Sequence, residues 1–256
     1  MRANSLREAW ASGRAVTNCW LTLPSTLGAE IIAHQGWDSL TVDMQHGQAD
    51  ILAVYAMLTA ISTTDAVPLV RVPWNNPGDI NRVLDAGAYG VICPNVDTAE
   101  ECERFVAACR YAPAGTRSVG PKRAVLYGGA DYLSKANETI LTMAQVESGK
   151  ALANVRAIAA VKELDVIFIG PTDLGLSLGR EPRADPTDPA VVEAIATILA
   201  AAKDAGKRAA IYCRSADYAK AMIAEGFDLV VVTSDEALLS AGGAMAAQFS
   251  SRSRLP

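Results

Sequence analysis

Four segments of the chain follow one plan, in which a helical pattern ends at a glycine and a short apolar run follows. The segments are AHQGWDSLTVD, LDAGAYGVICP, DAGKRAAIYC and IAEGFDLVVVT. Gly36, Gly87, Gly206 and Gly226 stand where a left-handed helix C-cap is expected, because glycine adopts that conformation without a steric penalty. An apolar run without polar alternation is typical of a strand buried on both faces, as in parallel sheets. The repeat therefore predicts β-α units built around a parallel sheet.

Eight short runs rich in β-branched residues predict eight strands. Helical patterns with apolar residues at three- and four-residue spacing separate most of them. Such a series favours an α/β fold of the closed (β/α)8 TIM barrel type, and an open doubly wound sheet is the alternative that the spacing does not exclude. The predicted strands are Val16–Leu21, Ser39–Asp43, Val67–Arg71, Tyr89–Cys93, Ile140–Val146, Val166–Ile169, Arg208–Cys213 and Leu229–Val232.

Size and composition limit the class of protein. The chain has 256 residues, of which 50% are hydrophobic, and this suits one barrel domain spanning residues 1–256. The net charge of −5 and the absence of a long basic run argue against a nucleic-acid partner. No signal peptide or apolar run of membrane-spanning length is present, so no membrane partner is expected. The five cysteines lack metal-ligand spacing, which predicts reduced thiols and a cytoplasmic location.

Two further segments have an unusual composition. Residues 111–137 are rich in glycine and proline and are long for a connection, which predicts a functional loop over the carboxyl ends of the strands. Residues Asp235 to Phe249 predict one more helix, followed by the polar tail SSRSRLP.

Two carboxylates follow two successive predicted strands. TILTMAQVES delivers Gln145 and Glu147, and IFIGPTDLG delivers Asp173. In a barrel the active site lies at these carboxyl ends, and two neighbouring carboxylates can bind Mg²⁺ or Mn²⁺. The alternative is two solvated acids, with Asp173 as a helix N-cap. The backbone amides of Thr172 and Asp173, at a strand-to-helix turn, can hold a carboxylate or phosphate.

A cation and a histidine stand at two other strand ends. Arg71 lies between apolar residues in PLVRVPW and needs an anionic partner, which is either a nearby acid such as Asp43 or a substrate oxyanion. His46 lies in the polar stretch DMQHGQAD and can act as a general base. His34 lies near a helix end and is expected to interact with the last carbonyl groups.

Five long strings of the sequence resemble the HpcH/HpaI aldolase family, whose members are class II, metal-dependent pyruvate aldolases on a (β/α)8 barrel. The resemblance extends from about Val16 to Val232. The strings are VRVPWNNP, RVLDAGAYGVICPNVDTAEE, RYAPAGTRSVGPKRA, QVESGKALANVRAIAAV and DVIFIGPTDLGLSLG.

The resemblance implies a metal site and a substrate site. Glu147 and Asp173 would bind the metal ion, Mg²⁺ or Mn²⁺, with Co²⁺ as a further candidate. Gln145 would contact the substrate, and Gly170 would allow its close approach. The amides of Thr172 and Asp173 would bind the pyruvate carboxylate.

The resemblance also implies three catalytic residues. Arg71 would stabilise the transition state, His46 would act as the base, and Asp85 would raise the basicity of His46. The predicted topology, however, puts Asp85 near the amino ends of the strands. Two departures from the family pattern could change the choice of acceptor: Gln45 replaces the usual glutamate, and Ser118 replaces the usual glycine.

The expected reaction is reversible aldol cleavage of a 4-hydroxy-2-oxo acid to pyruvate and an aldehyde through the pyruvate enolate. The strand ends offer no lysine, which argues against a Schiff-base aldolase. One alternative is an acyl-CoA lyase of the citramalyl- or malyl-CoA type, with Lys122 and Arg123 contacting the CoA phosphates. Another is a catalytically silent barrel that binds a ligand. The resemblance further implies a homohexamer, a trimer of dimers, with helix 235–250 exchanged at a subunit interface.

Overall fold

The computed structural model describes residues 1–252, and their side chains as far as residue 248. Eight parallel strands form a closed barrel in which each strand pairs with the next and the last pairs with the first. Closure excludes the open doubly wound sheet. The strands β1 to β8 are Val16–Leu21, Ser39–Asp43, Val67–Arg71, Gly90–Cys93, Leu141–Val146, Val166–Ile169, Arg208–Tyr212 and Leu229–Ser234.

The observed strands agree closely with the prediction. Four of them, β1, β2, β3 and β6, have the predicted bounds, and three others differ by one residue at one end. Strand β8 runs two residues further than predicted, to Ser234, because Thr233 and Ser234 pair with β1 beyond an irregularity in the register. Those two polar residues follow the apolar run, so the composition gave no sign that the strand continues.

Helices return the chain to the amino end of each following strand. Gly36, Gly87, Gly206 and Gly226 have positive φ angles of 85°, 103°, 68° and 104°, which confirms the predicted left-handed conformation. In the described part of the chain, the helices α1 to α12 are Ser5–Ala11, Thr26–Ala33, Ile51–Ile61, Pro77–Asp85, Ala99–Cys109, Lys122–Gly128, Tyr132–Thr139, Gly149–Ala159, Pro171–Ser177, Pro189–Asp204, Ala216–Glu225 and Asp235–Arg252.

The buried residues form two clusters, one between the strands and the helices and one inside the barrel. Alternate residues of the strands, such as Leu69 and Phe168, fill the interior. Helix α1 closes the amino end, where Leu6 and Trp10 join the interior cluster and the Trp10 indole N–H donates to the Asp228 carbonyl at 2.9 Å. The barrel is therefore plugged at its amino end, and inward-facing side chains can line a cavity at its carboxyl end.

The prediction of a loop over the carboxyl ends is wrong for residues 111–137. This segment includes α6 and most of α7 and lies at the amino end, where the Arg2 N–H donates to the Gly128 carbonyl at 2.6 Å. Helix α5 has already carried the chain to that end, and the segment leads directly into β5. The Arg123 guanidinium donates to the Ala86 and Leu58 carbonyls at 2.6 and 2.9 Å, so it packs against the barrel far from the strand ends.

Helix α12 follows β8 at the carboxyl end, as the sequence predicts. Its first residue, Asp235, accepts hydrogen bonds from the Thr22 backbone N–H at 2.9 Å and the Leu23 N–H at 3.1 Å. These bonds fix the start of the helix beside the end of β1. Among the described residues, no helix has the length and apolar composition needed to cross a bilayer.

Candidate active site

A cavity of about 420 Å³ opens at the carboxyl ends of the strands. Side chains from β1, β2, β3, β5, β6 and β7 meet here, because barrel closure brings the last inward-facing residue of each strand to one layer. The lining residues are Trp20, Thr22, Asp43, His46, Arg71, Gln145, Phe168, Gly170, Pro171, Thr172, Asp173 and Tyr212.

Arg71 and Asp43 form a two-pronged ion pair in the floor of this cavity. The Arg71 Nε and Nη2 atoms donate to the two Asp43 carboxylate oxygens at 2.8 and 2.6 Å. Burial alone would raise the pKa of Asp43, but the hydrogen bonds and charge of Arg71 outweigh burial and hold that pKa below its usual value. The structural pairing and the substrate-binding role predicted for Arg71 are compatible, because Nη1 takes no part in these two bonds.

An aromatic ring packs against the Arg71 guanidinium. Its central carbon lies 4.9 Å from the centre of the Trp20 ring, a cation–π contact. The Trp20 ring contacts Phe168 at 5.8 Å and Tyr212 edge-on at 5.6 Å between ring centres. Phe168 and Tyr212 thus support the ring that packs against the guanidinium, and all three rings line the cavity.

Glu147 is a buried carboxylate that forms no ion pair with any described residue. Its side chain is 4% exposed and accepts hydrogen bonds from the Asn95 backbone N–H at 2.9 Å and the Gln145 amide at 2.5 Å. Burial raises the pKa of Glu147, and the nearby Asp173 charge adds to the rise. Asn95 reaches it in a left-handed conformation with a φ angle of 54°, which is unusual for a residue other than glycine.

The space beside Glu147 exists because residue 170 is a glycine. A Cβ atom on Gly170 would lie 2.5 Å from the Glu147 Oε2 atom and 2.9 Å from the Gln145 Nε2 atom. The other end of the Gln145 amide, Oε1, is buried and has no hydrogen-bond partner among the described residues. A buried acceptor without a partner normally meets water, an ion or a ligand.

Asp173 lies at the start of α9, on the same side of the cavity. The N-cap of α9 is Gly170, so the interpretation of Asp173 as the N-cap is wrong. The Asp173 side chain is exposed and lines the cavity, and the backbone N–H groups of Thr172 and Asp173 donate to no described residue. These amides are free to bind an anion.

The residues present fit a divalent metal ion. Glu147, Asp173 and the Gln145 Oε1 atom supply only oxygen ligands, which hard cations such as Mg²⁺ and Mn²⁺ prefer. No group of three or more His, Cys, Asp or Glu side chains suited to a metal occurs in the described part of the chain. A site with two carboxylates, completed by oxygens of water or substrate, agrees with the oxygen ligands present and with the absence of a third acidic, histidine or cysteine ligand among the described residues.

His46 lies at the rim of the cavity. Its side chain is exposed, and its backbone N–H lies 3.5 Å from the Asp43 Oδ1 atom, which also accepts the Gln45 N–H at 3.0 Å. Asp43 thus holds both the Arg71 guanidinium and the turn that carries His46. His34 is exposed outside the cavity, and its backbone N–H, which donates to the Glu30 carbonyl at 3.2 Å, caps helix α2.

Comparison with known proteins agrees with this geometry. Residues 17–241 match the family described as HpcH/HpaI aldolase/citrate lyase. The chain belongs to this family. A hydroxypyruvate/pyruvate aldolase of Rhizorhabdus wittichii is 45% identical over 93% of this chain and 95% of its own. A 4-hydroxy-2-oxo-heptane-1,7-dioate aldolase of Salmonella arizonae is 35% identical over 98% and 97% of the two chains.

A solved family structure from Burkholderia cenocepacia superposes with a TM-score of 0.89 at 34% identity, covering 96% of this chain and 98% of that one. The family and the curated relatives make this chain an aldolase, a carbon–carbon lyase. The family is metal-dependent. The resemblance seen in the sequence is therefore confirmed.

Asp85 of this aldolase lies away from the cavity. It ends helix α4 at the amino end of the barrel and accepts a hydrogen bond from the buried Arg117 guanidinium at 2.9 Å. Arg117 also donates to the Tyr132 hydroxyl at 3.1 Å. Within one chain, Asp85 does not line the cavity that contains His46.

The sequence located the charged residues of the aldolase site better than its walls. The structure brings together His46, Arg71, Gln145, Glu147, Gly170, Thr172 and Asp173. It adds Phe168 and Thr22 to the lining. Strand β6 is buried on both faces, so its apolar pattern does not reveal that Phe168 faces inward.

Proposed function

We propose that this aldolase cleaves 4-hydroxy-2-oxo acids reversibly to pyruvate and an aldehyde, with a divalent metal ion held by Glu147 and Asp173. The observation that carries the metal part is the buried Glu147 carboxylate, which forms no ion pair with any described residue and lies beside the unpartnered Gln145 Oε1 atom. A buried carboxylate that forms no ion pair is costly unless a cation binds beside it. The reaction class agrees with the activities for which the relatives are named.

The chain offers a place for each part of the substrate. The free amides of Thr172 and Asp173 would bind the carboxylate of the 2-oxo acid. Gly170 and the Gln145 side chain would bound the space for the 2-oxo group. The Arg71 Nη1 atom would donate to the oxygen that becomes the enolate, held in place by the Asp43 ion pair and the Trp20 ring.

Proton transfer falls to His46. In the cleavage direction it would accept the proton of the 4-hydroxyl group while the C3–C4 bond breaks. The bond electrons move to the pyruvate unit, which becomes the enolate, and C4 leaves as the aldehyde. Protonation of C3 then completes pyruvate. A bound divalent ion would supply positive charge that stabilises the enolate oxygen.

Pyruvate release with and without metal tests this proposal. The apo-protein, prepared with EDTA, is expected to be inactive on a 4-hydroxy-2-oxo acid, and Mg²⁺, Mn²⁺ or Co²⁺ should restore pyruvate formation. Arg71→Ala and Glu147→Ala should abolish cleavage while circular dichroism stays native. Full activity in excess EDTA would refute the metal part, and no pyruvate from any hydroxy-oxo acid would refute the reaction.

Hydroxypyruvate is a second donor to include. The relative from Rhizorhabdus wittichii is named for both hydroxypyruvate and pyruvate. Both donors present the same carboxylate and 2-oxo group to the proposed binding residues, so the site places no evident charge barrier against the extra hydroxyl. Aldol addition with each donor and one common aldehyde, followed by chromatography of the products, compares them directly.

The acyl-CoA lyase alternative loses its one supporting observation. Arg123 lies at the amino end of the barrel, where backbone carbonyls bind its guanidinium. Lys122, the preceding residue, starts the same short helix. Neither belongs to the lining of the cavity at the carboxyl end. Citramalyl-CoA, whose cleavage would release pyruvate, and malyl-CoA, whose cleavage would release glyoxylate, remain useful negative substrates when both products are assayed. A catalytically silent barrel would release neither product from these esters and no pyruvate from any hydroxy-oxo acid.

The proposal extends to a homohexamer, a trimer of dimers, in which helix α12 is exchanged at a subunit interface. In support, α12 exposes Leu238, Leu239 and Met245 at 42%, 68% and 67% in one chain. Asp85 could act on His46 only from a neighbouring subunit, since the two lie apart within one chain. Light scattering after gel filtration should give a mass about six times the 26.9 kDa of the chain.

A further inference from the structure

A second cavity, of about 560 Å³, adjoins the first at the carboxyl end of the barrel. The two cavities share Thr172 and Tyr212 as lining residues. The second one extends between the end of β7 and the first turns of α12, where small residues such as Ala237 and Ala241 leave it open. A substrate longer than the pyruvate unit can therefore continue from the first cavity into the second.

Arg214 is the cationic side chain that lines the second cavity. Its guanidinium forms no hydrogen bond or ion pair with any residue of the described part of the chain. Arg71, in the first cavity, contrasts with it, because Asp43 occupies two of its nitrogen atoms. The Arg214 guanidinium is thus free to bind an external anion, for which its planar fork is well suited.

The backbone of Arg214 is fixed, although its side chain is free. The Arg214 N–H donates to the Asp185 carboxylate at 2.7 Å, which ties the end of β7 to the loop after α9. Arg214 follows Tyr212 by two residues, and its charge acts on the Tyr212 hydroxyl, as does the charge of Arg71. Burial raises the pKa of Tyr212, while the charges of Arg71 and Arg214 both oppose the rise. Tyr212 therefore lies within the fields of both guanidinium groups, one in each cavity.

Glu236 lines the second cavity as well and limits its positive potential. It stands in the first turn of α12, is exposed and forms no ion pair with Arg214. An anion that binds Arg214 must tolerate this carboxylate nearby. Removing the Glu236 charge should strengthen the binding of such an anion, whereas removing the Arg214 charge should weaken it.

We propose that the second cavity is the acceptor subsite of this aldolase and that Arg214 binds a terminal carboxylate or phosphate on the acceptor aldehyde. The inference rests on the proposed aldol reaction. The pyruvate unit occupies the first cavity, the reacting aldehyde carbon lies at its rim, and the acceptor chain passes Tyr212 into the second cavity. Arg214 is then a specificity-determining residue that selects anionic acceptors over neutral ones.

The test compares acceptors with and without an anionic terminus. Succinic semialdehyde and methyl 4-oxobutanoate provide the carboxylate pair, and glyceraldehyde 3-phosphate and glyceraldehyde the phosphate pair. For Arg214→Gln, kcat/KM for an anionic acceptor should fall about tenfold, since a charge-assisted hydrogen bond is lost, with the change mainly in KM. The value for the neutral partner should stay near that of the wild type. Arg214→Lys should recover part of the loss, and Glu236→Gln should raise kcat/KM for the anionic acceptor.

Arg156→Gln is the matched control, because Arg156 is exposed and pairs with Asp204 at 3.2 Å on the outer surface. It should leave both acceptors unchanged. The pair that responds, carboxylate or phosphate, identifies the anion. Equal loss on charged and neutral acceptors, or no loss on either, overturns the proposal.

Deuterium exchange at C3 of pyruvate, followed by NMR with the metal-loaded wild type, separates this inference from the proposed function. Exchange needs the enolate and no acceptor. If the wild type shows neither exchange nor cleavage, the proposed function itself fails. If it exchanges and cleaves but Arg214→Gln does not discriminate by charge, only the acceptor subsite fails.

Discussion

Gly170→Ala should damage the metal site of this aldolase while leaving its fold intact. The backbone of Gly170, with φ −100° and ψ 91°, is accessible to alanine, so the substitution brings no backbone strain. The new methyl group would instead lie 2.5 Å from the Glu147 Oε2 atom, where ordinary contacts begin at 3.4 Å. The carboxylate, a flexible side-chain end, must therefore move by about 0.9 Å, the difference between these two distances.

The effect on activity should be much larger than the effect on stability. A displacement of roughly 1 Å in a positioned group can lower the rate about 100-fold, so we expect kcat to fall about 10- to 100-fold. Stability has two opposing contributions. Alanine stabilises by about 0.5 kcal/mol through the unfolded state, and weakening the Gln145–Glu147 hydrogen bond costs about 1 kcal/mol. The melting temperature should then change by no more than about 4 °C.

Metal activation curves and thermal melting of the same preparations measure both effects. Pyruvate release against Mn²⁺ concentration should show a half-activation point shifted to higher metal concentration, together with the lower kcat. Gly149→Ala, in the turn after the neighbouring strand β5, is the matched control. A Cβ atom there would lie 3.6 Å from the Leu178 Cδ2 atom, an ordinary contact, so this variant should keep wild-type kcat and metal response.

Wild-type kcat and metal response in Gly170→Ala would refute the reasoning, because they would show that Glu147 need not keep its observed position. An unfolded or strongly destabilised variant would contradict it in another way, by showing that the methyl group displaces the backbone. Loss of activity in both glycine variants would mean that the turns after β5 and β6 tolerate no added atom, and it would contradict a specific role for residue 170.

Three further predictions follow from the ion pair and the glycine caps. Arg71→Lys should lower kcat/KM for pyruvate release about 100-fold with a native circular dichroism spectrum, because lysine cannot reproduce the two-pronged bond to Asp43. The pKa of Asp43 is lowered in the folded state, so its ionisation stabilises the fold above about pH 4, the unfolded value, and this contribution is lost as the pH falls through the lowered pKa. In urea unfolding between pH 3 and 7, the unfolding free energy of Asp43→Asn should therefore fall less at acid pH than that of the wild type. An equal dependence of the unfolding free energy on pH in the two proteins would contradict a lowered pKa of Asp43. Gly226→Ala, at a φ angle of 104°, should lower the unfolding free energy by about 1 kcal/mol, whereas Gly243→Ala, inside α12 with no atom within 4 Å of the new Cβ, should not lower it.

The strands and the charged residues of the site were predictable because they depend on local sequence. A glycine at a helix end and an apolar run buried on both faces are local signals, and they placed Val166–Ile169 without error. The point at which a strand ends is also marked by the local sequence, so Glu147 and Asp173 could be assigned to the ends of two successive strands. The family resemblance, and not the spacing, was what favoured metal binding there.

Contacts across the barrel were not predictable in the same way. Nothing local in the sequence shows that the Arg71 guanidinium binds Asp43 with both prongs, or that the Gln145 amide and Glu147 fill the space left by Gly170. The segment 111–137 was assigned to the wrong end, because its glycine and proline content indicates a connection but carries no information about which end of the barrel it covers.

The sequence alone determined that this chain is a parallel β/α protein with acids at two successive strand ends, because secondary structure and its ends follow from short-range steric and hydrophobic rules. Only the tertiary structure decided which side chains meet. Closure of the eight strands sets the distances between their ends. Those distances produce the Asp43–Arg71 pair and place Arg214 in a cavity beside the one that Gln145 lines. Asp85 lies at the opposite end of the barrel, where it pairs with Arg117, and is therefore separated from His46 within one chain.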